Sequence, residues 1–561
     1  IRTIANDDDD ADDDNDNDAD DDMENQAVWQ YDVSDTRLVA DLLASRFDGE
    51  HNGDDEDEDE GVTNSSLSST QQQQSRIADV MSSLYNAEFA FLVLTKNGVF
   101  FGRDKWGRRS LLRWSCPAPK CSSFIITSVT ESTDIIACPN TGAGSQQATQ
   151  KTSVETSKTE TDETIMDANR PLLDLEWTET TPGQVHYIDL SFRKRMNGYS
   201  NSTMTSLPFP QLERSSLLSV PQNSLRVEIP KTLVGISDQL WSASLELEFY
   251  LRRAVAMRMD HSTFCTGVLF SGGVDSAVLA ALAADIMVSS SKNHQHELHL
   301  YNVSFGPDRL KSADRQAALE SYDAIFKHFE IDSNENVDVN FHDIAVDWQQ
   351  VCGVEQHVRT LLRPKSTVMD VNIATALWFA SSGAVSSTVD GKDRNGDIQS
   401  SSLDGCNSPS ASPPRVLLLG MGADEQMGGY GRHRKAFVQG GWDLLCQELK
   451  MDQDRLWERN LGRDDRLVCD HSKEARFPFL DAHVVEFLKR LQQDTPHLIC
   501  NMELEPGTGD KQILRLVAKR LGLDHASGLV KRAIQFGSRI SHLSDKKRFG
   551  SRRKAKGDTK L

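Results

Sequence analysis

The second half of the chain alternates short, strongly apolar runs with longer segments that have helical periodicity. The apolar runs are Thr266–Phe270, His299–Phe305, Val337–Phe341 and Arg415–Gly420, and the helical segments are Val274–Met287, Lys311–Phe329 and Asp370–Ala380. Buried strands that alternate with helices are typical of a parallel sheet that is covered on both faces. This half is therefore predicted to be a doubly wound α/β domain whose ligands bind at the carboxyl ends of its strands.

A glycine pair follows the first predicted strand directly, in Ser271-Gly272-Gly273-Val274-Asp275-Ser276. Two glycines let the backbone approach an anion, and the start of the next helix offers unpaired N–H groups. Ser271 and Ser276 add hydroxyl donors. Asp275 has the wrong charge for a phosphate, but it is explained by a Mg²⁺ ion held between the oxygens. A purely structural turn is the alternative, and the complete pattern favours a phosphate site.

Three further segments occur in a fixed order after the predicted phosphate loop. They are LGMGADE (419–425) followed by GGY (428–430), NLGRDDR (460–466), and EARFPFLD (474–481). The glycine-rich loop by itself resembles that of ATP pyrophosphatases in general. Together, the ordered segments resemble the asparagine synthetase family, and in particular its domain-containing branch, over residues 240–545. The resemblance implies an adenine nucleotide alpha hydrolase-like fold.

The resemblance also implies a reaction and a set of site residues. In the family, the β-carboxylate of aspartate attacks the α-phosphorus of ATP, pyrophosphate leaves, and ammonia opens the aspartyl adenylate to asparagine. Carried over by position, the phosphate-binding residues are Ser271, Gly272, Gly273, Asp275 and Ser276, the Mg²⁺ ligands are Asp275 and Asp424, and the adenine and ribose contacts are Leu269, Phe305, Leu419 and Gly420. For Leu269 and Phe305, ordinary core packing is an equally good interpretation. Glu425 either orients a ligand or caps the following turn.

Two departures from the family pattern bear on turnover. Met421 stands where asparagine synthetases carry a glutamate, and a thioether cannot accept a proton from ammonia. Ala533 aligns with the family's phosphate-facing lysine, while Lys531 and Arg532 lie just before it. Those two cations either substitute for the lysine or are surface charges. The alternative to an active ligase is therefore an inactive descendant that retains nucleotide binding.

The first half of the chain predicts an antiparallel sheet region from short apolar runs at 89–94, 98–101, 123–127 and 184–190. FFGRDKWGRRSLL (100–112) and Ser34-Asp35-Thr36 resemble segments of class II glutamine amidotransferases, which implies an incomplete N-terminal nucleophile α+β sandwich. In that class the nucleophile is an N-terminal cysteine. Since this chain begins with Ile1, we expect it not to use glutamine as given. Asp35 is a possible glutamine-binding residue, or else a helix N-cap.

Composition limits the remaining choices. Two acidic runs, Asp7–Glu24 and Asp54–Glu60, carry most of the formal net charge of −23, and they predict solvated, disordered segments. The remainder of the chain is nearly neutral, and we expect no nucleic-acid partner. A tRNA-thiolating enzyme is also disfavoured because it usually needs a catalytic cysteine pair. Neither a signal peptide nor an apolar span is apparent, and the sparse cysteines suit a reducing compartment, so we expect a cytoplasmic protein without membrane partners.

These patterns predict five regions, and they leave the oligomeric state open. The regions are an acidic disordered segment (1–27), a glutamine amidotransferase-like domain with insertions near 50–76 and 139–165 (28–205), a linker (206–239), an asparagine synthetase-like domain with an insertion near 384–412 (240–545), and a basic tail (546–561). The expected function is ATP- and Mg²⁺-dependent conversion of aspartate to asparagine, with ammonia or glutamine as nitrogen source.

Overall fold

The computed structural model describes residues 69–84, 86–95, 98–115, 124–128, 177–189, 204–210, 220, 227–230, 233, 235–290, 294–383 and 413–549. All of them belong to one compact unit, Ser65–Leu561. The predictions for Asp35, for both acidic runs and for the insertions near 139–165 and 384–412 lie outside the described residues. No helix of the described part is long and apolar enough to cross a membrane.

The described residues of the first half form one helix and two small antiparallel sheets. The elements are α1 (Ser69–Ser83), β1 (Ala90–Leu94), β2 (Gly98–Arg103), β3 (Leu112–Ser115), β4 (Phe124–Thr127), β5 (Thr178–Glu179), β6 (Gln184–Asp189) and β7 (Met204–Pro208). The strand orders are β1-β2-β6-β7 and β4-β3-β5. The predicted antiparallel region is therefore confirmed, and three of its strands, β3, β5 and β7, were not anticipated.

Helix α1 begins inside the polar tract near 50–76, which composition alone predicts to be disordered. The apolar residues after the glutamine run explain the difference, because Ile77, Val80 and Met81 are all buried. Gln74 also donates a hydrogen bond from Nε2 to the carbonyl oxygen of Val185, at 2.6 Å. The helix is thus stabilised by packing against the sheet rather than by its own composition.

Five parallel strands form the sheet of the second half, as the α/β prediction requires. They are β8 (Cys265–Leu269), β9 (His296–Phe305), β10 (Val337–Val346), β11 (Val416–Leu418) and β12 (Glu474–Arg476). Their spatial order is β10-β9-β8-β11-β12. The strands β9 and β10 follow one another on one side of β8, whereas β11 and β12 follow one another on its other side. The order in which strands are added therefore reverses between β8 and β11. In a sheet of this topology, a crevice opens beyond the carboxyl ends of the two strands at that switch point.

Helices cover this sheet. They are α2 (Asp238–Ala256), α3 (Val274–Ser290), α4 (Ala313–His328), α5 (Trp348–Leu362), α6 (Val368–Ser382), α7 (Ala423–Met427), α8 (Gly431–Leu456), α9 (Gly462–Cys469), α10 (Ala482–Asp494), α11 (Gln512–Arg520), α12 (Asp524–Gly528), α13 (Ile534–Gly537) and α14 (Ile540–Phe549). The three predicted helices are confirmed with slightly shifted ends. The first eleven residues of α3 are all buried, and the apolar ones among them belong to the largest core cluster.

Buried ion pairs connect the antiparallel sheets to the α/β part. The carboxylate of Asp104 accepts hydrogen bonds from the backbone N–H groups of Trp106 and Arg108, which fixes a tight turn after β2. Beyond this turn, Nη1 of Arg109 lies 3.1 Å from Oδ1 of Asp465 in α9. The segment 100–112 therefore docks directly on the α/β part.

Candidate functional site

The predicted phosphate loop lies at the carboxyl end of β8, beside the switch point. Gly272 has a φ of +71°, a left-handed conformation that side chains rarely adopt, and a Cβ there would collide with the backbone of Ala317 and Ala318. The Oγ atoms of Ser271 and Ser276 lie 3.2 Å apart. Because α3 begins directly after the glycines, its first turn starts beside these two hydroxyls, and a helix N-terminus with neighbouring hydroxyl groups suits an oxyanion.

The second predicted segment follows β11 and faces this loop across the crevice. Gly422, with a φ of +95°, turns the chain into the short helix α7, which carries Asp424 and Glu425 in its first turn. Gly429 then passes so close to Asp424 that a side chain at residue 429 would strike the Asp424 carboxylate. Both loops therefore use glycine where the backbone must approach a functional group.

Two lysine side chains bridge the aspartates that were predicted to share a metal ion. Nζ of Lys511 lies 2.8 and 2.9 Å from the two carboxylate oxygens of Asp275, and 2.9 Å from Oδ1 of Asp424. Nζ of Lys531 lies 3.4 Å from Oδ2 of Asp275 and also contacts Oδ2 of Asp424. Lys511 is only 1% exposed. The predicted aspartates thus converge, and an ammonium group lies between them.

These ion pairs set the charge state of the site. Burial opposes ionisation of Asp424, but Lys511 and Lys531 outweigh it and hold its pKa well below the usual range. Conversely, burial opposes the charged form of Lys531, yet Asp424 and Asp275 raise its pKa above the usual value. Asp424 and Lys531 therefore stabilise each other's charged forms.

The carboxylates of Asp275 and Asp424 suit Mg²⁺ if a polyphosphate binds together with the ion. Carboxylate oxygens are the ligands that Mg²⁺ prefers, usually together with substrate phosphates. The charges of Asp275 and Asp424 are already neutralised by Lys511 and Lys531, so Mg²⁺ alone would compete with both ammonium groups. Phosphate oxygens would give those ammonium groups new partners. The residues therefore fit Mg²⁺ that enters together with a polyphosphate better than they fit the free ion.

The crevice beyond the carboxyl ends of β8 and β11 is called the cleft from here on. Its wall contains three of the four residues predicted to contact adenine and ribose. Leu269, Leu419 and Gly420 line it, and so does Met421. Phe305 does not line the cleft. Its ring is buried and packs edge-on against Phe379, 6.0 Å between centroids, so the structure supports the core-packing interpretation for this residue.

Glu425 faces the cleft and is held by a tyrosine. Oη of Tyr430 donates a hydrogen bond to Oε1 of Glu425, at 2.6 Å. Burial, and then the neighbouring charge of Asp424, raise the pKa of Glu425 above its usual value. Orientation of a group in the cleft is therefore favoured for Glu425 over capping of the following turn. Met421 lines the same cleft as Glu425.

Lys531, and not Ala533, reaches the predicted phosphate loop. Lys531 and Arg532 line the cleft, whereas Ala533 is exposed at the start of α13. Of the two interpretations that the sequence left open for these cations, the geometry favours participation in the site.

Sequence reasoning missed two residues of the site. Lys511 adopts a left-handed backbone conformation directly before α11, and no local pattern indicates that its side chain is buried. Asp314, in the first turn of α4, also lines the cleft. Burial raises the pKa of Asp314 to about 7, and the nearby cations of Lys531 and Arg532 limit the rise. A strongly shifted carboxyl group in a cleft is typical of functional sites.

Comparison with known proteins finds asparagine synthetase-like relatives over most of the chain. A family model described as asparagine synthase matches residues 246–366 and 406–526. The chicken (Gallus gallus) asparagine synthetase domain-containing protein 1 is 31% identical over 573 residues, which cover 89% of this chain and 84% of the chicken protein.

Mammalian relatives match over shorter regions. The bovine (Bos taurus) protein of that name is 36% identical over 49% of this chain and 45% of its own length. The human (Homo sapiens) protein of that name is 42% identical over 36% of this chain and 29% of its own length. With the fold, the ordered motifs and the extended match to the chicken protein, the chain belongs to the family of asparagine synthetase domain-containing proteins.

Proposed function

We propose that the chain is an asparagine synthetase-like ligase that binds Mg²⁺-ATP in the cleft between β8 and β11 and adenylates the side-chain carboxylate of aspartate. Pyrophosphate would leave, and ammonia would convert the adenylate to asparagine with release of AMP. The observation that carries the proposal is the arrangement of the phosphate loop opposite Asp424, with Lys511 and Lys531 between them. Hydroxyl donors, helix N–H groups and two cations in one cleft suit a polyphosphate.

The lysines would act on the leaving group. Negative charge builds on the pyrophosphate oxygens as the bond to the α-phosphorus breaks, and cations held nearby stabilise that charge. Lys511 and Lys531 are positioned for this by Asp275 and Asp424. Mg²⁺, when bound with ATP, supplies further neutralisation of the phosphates.

Glu425 is the best candidate to receive the proton that attacking ammonia must lose. Met421 cannot do so, because a thioether is not a base. The carboxylate of Glu425 lies in the same cleft, and its raised pKa brings it nearer to neutral pH, where a general base is most effective. Tyr430 would hold it in place through the 2.6 Å hydrogen bond.

The second candidate function is nucleotide binding without turnover. It is favoured by Met421, which lines the cleft where the family carries a glutamate, and by the exposure of Ala533. Such a protein would bind Mg²⁺-ATP with the same loop but would not make asparagine.

For the first half, we propose descent from a class II glutamine amidotransferase domain. The order of its two antiparallel sheets and the docking of segment 100–112 on the α/β part are compatible with that origin. A direct comparison of ammonia with glutamine as nitrogen source tests whether this half has glutaminase activity. Glutamate release from glutamine above a protein-free control is the result that would support glutaminase activity.

An assay of pyrophosphate and asparagine distinguishes the two candidate functions. With ATP, Mg²⁺, aspartate and ammonia, the ligase releases pyrophosphate and forms asparagine. Glu425→Gln should then reduce asparagine formation by roughly 100- to 10,000-fold, the usual contribution of a general base. Glu448→Gln, on the neighbouring helix α8, is the matched control and should have no such effect.

Met421→Glu provides the complementary test. If adenylation occurs but proton transfer is slow, this variant should raise ammonia-dependent asparagine formation. Absence of pyrophosphate release from the wild type and from Met421→Glu would reject the ligase in favour of the nucleotide-binding protein.

A further inference from the structure

A mixed cluster of sulfur, oxygen and nitrogen donors lies at the amino ends of two neighbouring strands. Cys265 is the first residue of β8, and its partner in the register with β9 is Glu297. His299 follows Glu297 two positions later in β9. Since alternate residues of a strand point to the same face, and paired residues of parallel strands do so too, the three side chains share one face of the sheet. We call Cys265, Glu297 and His299 the β8–β9 cluster.

The three side chains come within the reach of one ion. Their ligand atoms, Sγ of Cys265, one carboxylate oxygen of Glu297 and a ring nitrogen of His299, all lie within 4.8 Å of one another. Nε2 of His299 is 3.1 Å from Oε2 of Glu297, and Sγ of Cys265 is 4.0 Å from the same oxygen. Cys265 and His299 are buried, whereas Glu297 is half-buried, so the cluster has an opening on the solvent side.

We propose that the β8–β9 cluster binds one Zn²⁺ ion or a similar divalent transition metal. Thiolate, imidazole and carboxylate are the three protein ligand types of zinc, and three such ligands leave the fourth tetrahedral position to water. Mg²⁺ and Ca²⁺ bind through oxygen, and this cluster offers a single carboxylate. The ligand set thus separates this site from the oxygen-rich pair Asp275 and Asp424.

A second histidine holds the first in the orientation that metal binding needs. Nδ1 of His299 lies 2.8 Å from Nε2 of His342 in β10, so the nitrogen facing away from the cluster has a hydrogen-bond partner. Metal-bound histidines regularly use their other nitrogen in this way, which fixes the ring and its tautomer. Tyr301 stacks on the ring of His342, with 4.6 Å between centroids, and it also lines the cleft.

The position of the β8–β9 cluster points to a structural role for the metal. Cys265 and Ser271 are at opposite ends of the same strand segment, about 20 Å apart at the usual rise per residue. A metal at the cluster would join β8 to β9 at their amino ends, and it would take no direct part in chemistry at the cleft. The proposal is therefore independent of the proposed ligase activity.

Two alternatives to a metal site use the same residues. In the first, the cluster is a metal-free hydrogen-bonded network, with Glu297 as the acceptor for His299 and with Lys473 as a nearby cation. Lys473 donates to the carbonyl oxygen of Ser381 at 2.7 Å and lies over the ring of Tyr301. A nucleophilic cysteine is the other possibility, but burial, and then the charge of Glu297, raise the pKa of the Cys265 thiol to about 12, which opposes thiolate formation without a metal.

Cobalt titration of the full chain decides between them. The protein is freed of metal with 1,10-phenanthroline, dialysed, and titrated with Co²⁺ in excess Mg²⁺, which occupies oxygen-only sites. We expect one Co²⁺ per chain, a near-ultraviolet thiolate-to-cobalt charge-transfer band, and displacement of Co²⁺ by Zn²⁺. Cys265→Ser should abolish the band, whereas Cys352→Ser, at an exposed cysteine of α5, should retain it. His342→Gln, which keeps all three ligands, should weaken binding about 10- to 100-fold.

Glu297→Gln keeps the test valid if Cys265→Ser does not fold, since residue 297 is only half-buried. Circular dichroism monitors folding of each variant, and a loss of Co²⁺ affinity of at least tenfold in folded Glu297→Gln supports the site. A wild-type protein without the charge-transfer band, a band that survives Cys265→Ser, or equal Co²⁺ affinity in wild type and Glu297→Gln would overturn the proposal.

Discussion

Lys511 is the residue on which the electrostatics of the cleft most depend. Its ammonium group contacts both Asp275 and Asp424 and is almost completely buried. Removing one partner of a buried ion pair leaves uncompensated charge, which typically costs about 3–5 kcal/mol. We therefore expect Lys511→Met to lower the free energy of unfolding by an amount in that range at pH 7, as measured by urea denaturation.

Magnesium provides the specific readout for Lys511→Met. Without the ammonium group, Asp275 and Asp424 should bind Mg²⁺ in the absence of nucleotide, and millimolar Mg²⁺ should restore part of the lost stability. Lys519→Met, at an exposed position of α11, is the control and should change neither quantity. A stability loss in Lys511→Met that does not respond to Mg²⁺ would contradict the account of the site.

Asp314 should give the protein a distinctive pH dependence. Burial raises its folded-state pKa to about 7, whereas an aspartate in the unfolded chain has a pKa of about 3.9. Between these values the folded state holds one more proton, so the free energy of unfolding falls as pH rises from about 4 to about 7. Each unit of pKa difference corresponds to about 1.4 kcal/mol.

Asp314→Asn removes that contribution, because the amide does not titrate. Urea denaturation at a series of pH values should show a smaller decline for the variant than for the wild type over this window. Asp323→Asn, at an exposed position of the same helix, should retain the wild-type slope. Parallel curves for Asp314→Asn and wild type would show that Asp314 does not titrate in this way.

At the scale of single elements, the predicted phosphate loop has the strictest requirement on its backbone conformation. Gly272 has a positive φ and touches the backbone of α4, whereas Gly273 has neither constraint, since a Cβ there would meet only Oγ of Ser271 at 3.4 Å. Left-handed backbone costs a residue with a side chain roughly 1–2 kcal/mol, and the collision adds to this. We expect Gly272→Ala to reduce both stability and ATP binding, measured by calorimetry, and Gly273→Ala to have a much smaller effect.

The outcome of the glycine comparison also tests the position of the loop. If Gly272→Ala binds ATP as tightly as Gly273→Ala does, the close approach of this loop to α4 is not needed for nucleotide binding.

The elements with strong apolar patterning could be predicted from the sequence. The strands β8 to β11 and the helices α3, α4 and α6 all carry long apolar runs or helical spacing, and their positions agree with the structure within a few residues. Strand β12 was missed because its three residues, Glu474–Arg476, include two charged side chains. It is a strand because its backbone pairs with β11, a tertiary contact that local composition does not encode.

The candidate site likewise contains residues that could be predicted from the sequence and residues that could not. The glycine-rich turns were predictable because their backbone conformations require glycine, and all the residues of each turn are neighbours in the sequence. Lys511 and Asp314 were not, because each reaches the cleft from an element distant in sequence. Their shifted or neutralised charges arise from burial and from partners such as Lys531 that only the fold brings near.

At the scale of the whole molecule, Arg466 connects the two halves. Its Nη1 lies 2.8 Å from Oε1 of Glu179 in β5 and also donates to Oγ of Ser110, while the side chain is 1% exposed. We expect Arg466→Met to lower the free energy of unfolding by about 3–5 kcal/mol. Hydrogen exchange should become faster in both β5 and α9, since each loses its partner.

Arg459→Met is the control for this whole-molecule prediction. Arg459 is 42% exposed and lies 3.9 Å from Asp452, a geometry that contributes little to stability. Faster exchange confined to α9 in Arg466→Met, with β5 unchanged, would indicate that the antiparallel sheets fold independently of the α/β part.

The central claim is that Mg²⁺-ATP binds at the switch point, with Asp275 contributing to the metal. Calorimetric titration with ATP, in Mg²⁺ and separately in EDTA, measures it directly for wild type and for Asp275→Asn. Asp285→Asn is the matched control, since Asp285 lies in the same helix but pairs with Arg252 at 2.5 Å, away from the cleft. We predict that Asp275→Asn weakens ATP binding much more in Mg²⁺ than in EDTA, and that Asp285→Asn matches the wild type in both. Equal losses for Asp275→Asn in the two conditions would contradict the metal role, and wild-type affinity of Asp275→Asn in Mg²⁺ would contradict the site itself.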